Sequence, residues 1–173
     1  QAVSLTSITI PANVTSIGLE GFSNTPMLTS VIFEEGSKLT TFGNGVFFNA
    51  TALLSIIIPS GVTTMGDGLF SLATSLTSVN IPPGITIIKG GTFSNTKLTS
   101  ITISANITSI GDSAFQGTTL TSVIFEAGSK LTSIGNYAFL GATSLLSITI
   151  PASVITIGNS AFQQTSKMTS ITF

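Results

Sequence analysis

The chain has 173 residues, 42% of them apolar and only 6% charged, with five Lys against six Asp and Glu and no Arg, His, Cys or Trp. A net charge of −1 offers nothing to nucleic acid or to an anionic membrane surface, and the missing Cys and His exclude disulfides, thiolate metal sites and the usual enzymatic bases and nucleophiles. The longest apolar stretch, Leu53 to Ile58, is interrupted by Ser55 and ended by Pro59, far short of the roughly 18 residues a membrane span needs.

The first element is the string LTSITI at Leu5 to Ile10, and it recurs along the whole chain. Its copies begin at Leu5, Leu28, Leu53, Leu76, Leu98, Leu120, Leu145 and Met168, with spacings between 22 and 25 residues. A period of that length carrying Leu-x-x-Ile-x-Ile is a leucine-rich-repeat pattern. Each copy reads as a strand rich in β-branched residues. Pro11, Pro59, Pro82 and Pro151 end four of them, since Pro has no N–H to give to a ladder.

A second short strand follows in each coil, as in Val14-Thr15-Ser16-Ile17. Gly18, Gly43, Gly66, Gly111, Gly135 and Gly158 come next, and their position at a sharp corner predicts positive φ. The fourth coil has Lys89 there instead, ahead of a Gly90-Gly91 corner that lacks the surroundings of a phosphate loop. Asn44, Asp67, Asp112, Asn136 and Asn159 are read as caps of short helical or 3₁₀ turns. Every coil then carries one Phe: Phe22, Phe47, Phe70, Phe93, Phe115, Phe139 and Phe162. At one register position these rings should stack into a buried spine.

Coils two and six are longer and nearly identical: LTSVIFEEGSKL from Leu28 and LTSVIFEAGSKL from Leu120, 92 residues apart. They replace the Pro with Glu34 to Lys38 and Glu126 to Lys130, so a four-coil block is used twice. The predicted fold is mainly β: one right-handed leucine-rich-repeat solenoid of about seven 22–25-residue coils over residues 1–173. Seven coils at about 4.8 Å span roughly 34 Å. Strands at both extremes, with no polar capping coil, are expected of a segment of a longer array.

IPANVTSIGLEGF from Ile10, ISANITSIGDSAFQGTTLTSVIF from Ile103 and IPASVITIGNSAF from Ile150 resemble the BspA-like leucine-rich repeats, and the resemblance covers the whole chain. It implies an exported or cell-surface protein, of bacteria or parasitic protists, that binds host matrix proteins or other cells. The chain departs from that family's frequent Cys after the Phe, having Thr25, Thr118, Ala142 and Thr165, and from its scattered surface charges, having Thr and Ser.

No catalytic residue is assigned: the acids Glu20, Glu34, Glu35, Asp67, Asp112 and Glu126 have no His or Cys to serve beside them as base or nucleophile. No cofactor and no metal is expected, because no Asp-rich loop offers oxygen ligands for Ca²⁺. Sequons at Asn13, Asn49 and Asn106 matter only in a eukaryotic secretory host and arise easily by chance in a Thr-rich chain. Strand alternation turns the third and fifth positions of each strand outward. The third is Ser in all eight copies, and the fifth includes Ile32, Ile57 and Ile124. This flat, uncharged face, with Ser55, Ile57, Ser78, Asn80, Ser100, Thr102, Ser122 and Ile124 at its centre, is the expected binding surface for an extracellular protein or glycan. Small Ser packing a tight curve is the structural alternative. A Thr row on the second strand, Thr15, Thr40, Thr63, Thr86, Thr108 and Thr132, offers a different reading, an ice-binding face. A third is a structural scaffold, filament or coat component that self-associates end to end or laterally. The expectation for function is a non-enzymatic adhesion or interaction protein, extracellular or at the cell surface, that touches neither nucleic acid nor the membrane interior.

Overall fold

The computed structural model describes residues 2–173. It is a β-solenoid whose first half contains β1 (Ser7–Ile10), β2 (Ser16–Ile17), β3 (Ser30–Phe33), β4 (Thr41–Phe42), β5 (Ser55–Ile56), β6 (Ser78–Val79) and β7 (Ile87–Ile88). The second half contains β8 (Ser100–Ile103), β9 (Ser109–Ile110), β10 (Ser122–Phe125), β11 (Ser133–Ile134), β12 (Ser147–Thr149), β13 (Thr156–Ile157) and β14 (Ser170–Thr172). All pairing is parallel and joins the same repeat position in successive coils, as in Ser7 with Ser30, Ser55 with Ser78 and Ser100 with Ser122. The register confirms the repeat alignment read from Leu-x-x-Ile-x-Ile.

The core is a set of columns. Leu28, Leu53, Leu76, Leu98, Leu120 and Leu145 are fully buried, one above another, and Val62, Ile85, Ile107 and Leu131 line the facing strand. The Phe spine forms as predicted. Six consecutive ring pairs from Phe22 to Phe162 stack with centroids 5.2–5.9 Å apart and ring planes within 16° of parallel. The five inner rings are fully buried, and Phe22 and Phe162 close the ends half-buried.

The corners correct three expectations. No helical or 3₁₀ segment occurs among the described residues. Each Phe is instead bracketed by left-handed residues two positions before and two after it, as with Gly68 and Leu72 around Phe70 or Tyr137 and Gly141 around Phe139. A left-handed residue every fourth position interrupts any right-handed helical run and makes consecutive turns. Turn N–H groups are thereby freed to point along the stack: Phe47 N donates to Leu69 O at 2.9 Å and Phe115 N to Ala138 O at 2.8 Å.

The glycines after the second strand are not the left-handed residues. Gly43, Gly66, Gly111, Gly135 and Gly158 are absent from the positive-φ set, which falls two residues later. They are glycine because the coil below is too close: a Cβ on Gly66 would lie 2.3 Å from the carbonyl carbon of Gly43, and one on Gly158 would lie 2.5 Å from Asn136 N. Gly18, with no coil beneath it, has open space at the same place. Nor do the Asn and Asp residues cap helices. Their side-chain oxygens accept from the matching N–H of the next coil: Asn44 from Asp67 at 3.0 Å, Asp67 from Gly90 at 3.0 Å, Asp112 from Asn136 at 2.7 Å and Asn136 from Asn159 at 2.8 Å.

This contrast is testable by unfolding in urea. Gly66→Ala should cost about 1–3 kcal/mol or more, because backbone on backbone cannot yield as a side chain would. Gly18→Ala, at the same sequence position without the contact, should stay within about 0.5 kcal/mol of the unchanged chain.

Candidate binding face

The strand face carries the side chains that point away from the core. Ser55, Ile57, Ser78, Asn80, Ser100, Thr102 and Ile124 are exposed together on it, and Ser122 is half-buried. The outward orientation read from strand alternation is therefore the observed one. The face is not the single flat ladder expected. It consists of four two-stranded sheets, β1-β3, β5-β6, β8-β10 and β12-β14, so that every second coil junction is open. The closed junctions also hold a bond at the position before the Ser, such as Thr77 N to Leu54 O and Thr121 N to Thr99 O.

One outward row escaped the alternation argument. The second position of each strand, Thr6, Thr29, Leu54, Thr77, Thr99, Thr121, Leu146 and Thr169, is exposed as well. Two consecutive outward residues break a strict period of two, which is why alternation misses them. Thr at six of the eight copies, with Leu54 and Leu146 as the exceptions, was the available signal.

Some polar groups on this surface hold coils together, although the Ser row makes no side-chain hydrogen bond. Thr29 Oγ1 donates to Thr6 O at 3.0 Å, Thr77 Oγ1 to Leu54 O at 3.2 Å and Thr121 Oγ1 to Thr99 O at 3.0 Å. Asn80, one of the candidate binding residues, imitates a ladder strand: its Oδ1 accepts from Ile58 N at 2.7 Å and its Nδ2 donates to Ile58 O at 2.9 Å. Glu34 and Glu126 behave alike, each carboxylate accepting from the turn of the previous coil, Ala12 N and Ala105 N, at 3.0 Å. The exposed apolar side chains have no such duty. Ile32 (54% exposed), Leu54 (59%), Ile57 (81%), Ile124 (55%) and Leu146 (54%) stand out of the face.

The second Thr row lies where it was placed, with Thr15, Thr40, Thr63, Thr86 and Thr132 exposed and Thr108 half-buried. Its hydroxyls are partly engaged: Thr40 Oγ1 donates to Thr15 O at 3.1 Å, Thr108 Oγ1 to Thr86 O at 3.1 Å and Thr132 Oγ1 to Thr108 O at 3.0 Å. Of the sequons, Asn13 and Asn106 are exposed, while Asn49 is left-handed and its Nδ2 donates to Asn24 Oδ1 at 3.0 Å. No group of three His, Cys, Asp or Glu converges among the described residues.

The family model for the BspA type leucine rich repeat region matches in six copies, over residues 1–121 and 108–173. No curated protein matches the chain. Among solved structures, a leucine-rich repeat protein from Bacteroides ovatus is 27% identical with a TM-score of 0.74, over 98% of this chain and 49% of that one. The pneumococcal vaccine antigen PcpA is 21% identical with a TM-score of 0.73, over 97% and 50%. A leucine rich cell surface protein from Faecalibacterium prausnitzii is 24% identical with a TM-score of 0.51, over 97% and 59%. The last two likenesses are of fold, and the chain spans about half the length of these proteins.

Asn80→Ala removes both partners of Ile58's main chain and should cost about 1–3 kcal/mol, read as a lowered urea midpoint. An unchanged midpoint would mean that water replaces the amide without loss.

Proposed function

This chain belongs to the BspA-type leucine-rich-repeat family, and from that premise we propose that it is a secreted or surface-displayed interaction module whose strand face binds a protein partner. One observation carries the reading. Asn80 and several Thr side chains of the face join coils and its Ser side chains are small, whereas Ile32, Leu54, Ile57, Ile124 and Leu146 stand out of it as large exposed apolar side chains. Isolated exposed apolar residues are ordinary, but a recurring set on one uncharged face is a contact surface. Repeat families of this architecture act by presenting an extended surface rather than by positioning reacting groups. That a structural neighbour is described as a cell surface protein, and another as a vaccine antigen, supports display outside the cell. Adhesion to another cell or to extracellular matrix is the role that fits display together with such a face.

The direct experiment is capture of immobilised extracellular matrix proteins by the unmodified chain. Ile57→Lys combined with Ile124→Lys should reduce binding at least tenfold, about 1.4 kcal/mol. Thr63→Lys combined with Thr86→Lys, on the second strand, should leave it within twofold. The reverse pattern would move the contact surface to the Thr row.

The Thr row keeps a second reading alive, because β7, β9, β11 and β13 form the longest unbroken sheet and hold their row in register. A regular Thr row of this kind could order water as an ice-binding surface does. Its hydroxyl protons are directed at carbonyls of the coil below, which favours a cohesive role over a water-ordering one. Thermal hysteresis and ice-recrystallisation assays on the unmodified chain should accordingly be flat at millimolar protein. Activity in either assay, lost in the Thr63→Lys, Thr86→Lys pair, would reverse the ranking.

A further inference from the structure

Two of the three sequons share a setting that the third lacks. Asn13 stands in the turn of residues 11–14 between β1 and β2, and Asn106 in the turn of residues 104–107 between β8 and β9. Each turn closes on a main-chain bond, Val14 N to Pro11 O at 3.1 Å and Ile107 N to Ser104 O at 3.0 Å. Both asparagines are exposed, and neither carboxamide makes a hydrogen bond among the described residues. The same turn position is glycine in the neighbouring coils: Gly36 follows Asn13, and Gly84 and Gly128 lie on either side of Asn106. A Cβ on Gly36 or Gly128 would meet nothing within 4 Å, and the crowding at Gly84 comes from Val62 and Thr63, on the side away from Asn106. Asn49 is the opposite case. It is half-buried and left-handed, with φ 57°, and its Nδ2 donates to Asn24 Oδ1 at 3.0 Å. The hydroxyl of its sequon is engaged too, Thr51 Oγ1 donating to Pro26 O at 3.4 Å.

Resting on the reading of the chain as a secreted protein, we infer that Asn13 and Asn106 are acceptor sites for N-linked oligosaccharide in a glycosylating secretory pathway, and that Asn49 is not. Asn-x-Thr is the acceptor signal, and the fold decides which of the three copies can carry the product. In the transfer, Nδ2 bonds to C1 of an oligosaccharide held on a polyprenyl pyrophosphate. The C1–O bond to the pyrophosphate breaks, the lipid pyrophosphate leaves, and one amide proton passes to a base of the transferase. Nδ2 is therefore both the reacting atom and the point of attachment. At Asn13 and Asn106 that atom is free, whereas at Asn49 it ties one coil to the next. Room is the second condition. A sugar ring is wider than the coil spacing of about 4.8 Å, so a glycan overhangs the adjacent coils. Glycine at the same turn position there leaves the space clear. The sequon hydroxyls rank the two sites: Thr15 Oγ1 makes no hydrogen bond, whereas Thr108 Oγ1 donates to Thr86 O at 3.1 Å, so Asn13 is the better acceptor. Both turns run along the edge between the strand face and the Thr row, so glycans four coils apart, roughly 19 Å, leave both faces open. Such bulky, hydrated groups would solubilise a chain that is only 6% charged.

The test is secretion of the whole chain from a eukaryotic host that glycosylates asparagine, with intact mass measured before and after peptide N-glycosidase. Two glycans are expected on the unmodified chain, one after either Asn13→Gln or Asn106→Gln, none after both, and still two after Asn49→Gln. Thr15→Ala should match Asn13→Gln, and Thr108→Ala should match Asn106→Gln, because each removes the signal and leaves the amide. Where occupancy is partial, Asn13 should be the fuller site. A secreted chain with no glycan, with a glycan at only one of the two turns, or with one on Asn49 overturns the inference. Capture of matrix protein is measured on the same preparations. Capture by a chain that carries no glycan leaves the interaction reading standing and this one fallen; glycans on both turns without capture does the reverse.

Discussion

Each coil of this protein is bonded to the next at identical sequence positions, and the rest of the structure follows from how close that brings them. The Phe rings stack at 5.2–5.9 Å from one end to the other. Main-chain bonds run alongside, from Phe N–H groups to the next coil's carbonyls. At that spacing a glycine after the second strand has no room for a Cβ, and any outward side chain meets its own copy one coil away. A repeated charge would therefore repel itself along the stack, whereas a repeated Thr can donate its hydroxyl to the carbonyl below. The exchange of surface charge for Thr and Ser is consistent with this stacking.

The polar surface is thus largely cohesive. Thr hydroxyls, the Asn44, Asp67, Asp112 and Asn136 side chains, the Asn80 amide and the Glu34 and Glu126 carboxylates all reach from coil to coil. Each satisfies a main-chain group that would otherwise be left to water. The large apolar side chains of the strand face make no such bond, and Ile32 with Ile124 and Leu54 with Leu146 recur with the four-coil block rather than with the single coil. That difference in period separates residues that maintain the solenoid from residues that give its face an identity. The Thr residues that bond coil to coil belong to the first class; Ile32 and Ile124 belong to the second.

The offset of 92 residues duplicates surface as well as scaffold. Coils two and six end their strands in Phe33 and Phe125, where the five other coils have Ile10, Ile58, Ile81, Ile103 and Ile150. The junctions that follow these two coils are open and apolar. A duplicated block therefore duplicates the wall of a groove, Thr29 to Glu34 and Thr121 to Glu126, as well as a length of scaffold.

The amino-acid sequence by itself determined the period, the strand register, the burial of the Leu columns and Phe spine, and the outward turn of the Ser position. These are properties of a pattern repeating along one dimension, and burial follows directly from which positions are always apolar. It also showed the four-coil duplication, as the near-identity of LTSVIFEEGSKL and LTSVIFEAGSKL. Only the tertiary structure decided how neighbouring coils meet. The reason for Gly66 is a backbone in another coil that a Cβ would approach to 2.3 Å, not its own φ; the purpose of Asp112 is an N–H in the next coil, not a helix end; and the face splits into pairs of strands with grooves between them. None of these is local to one repeat. Each depends on the distance between two copies of the same sequence, which a periodic string leaves open until the coils are stacked.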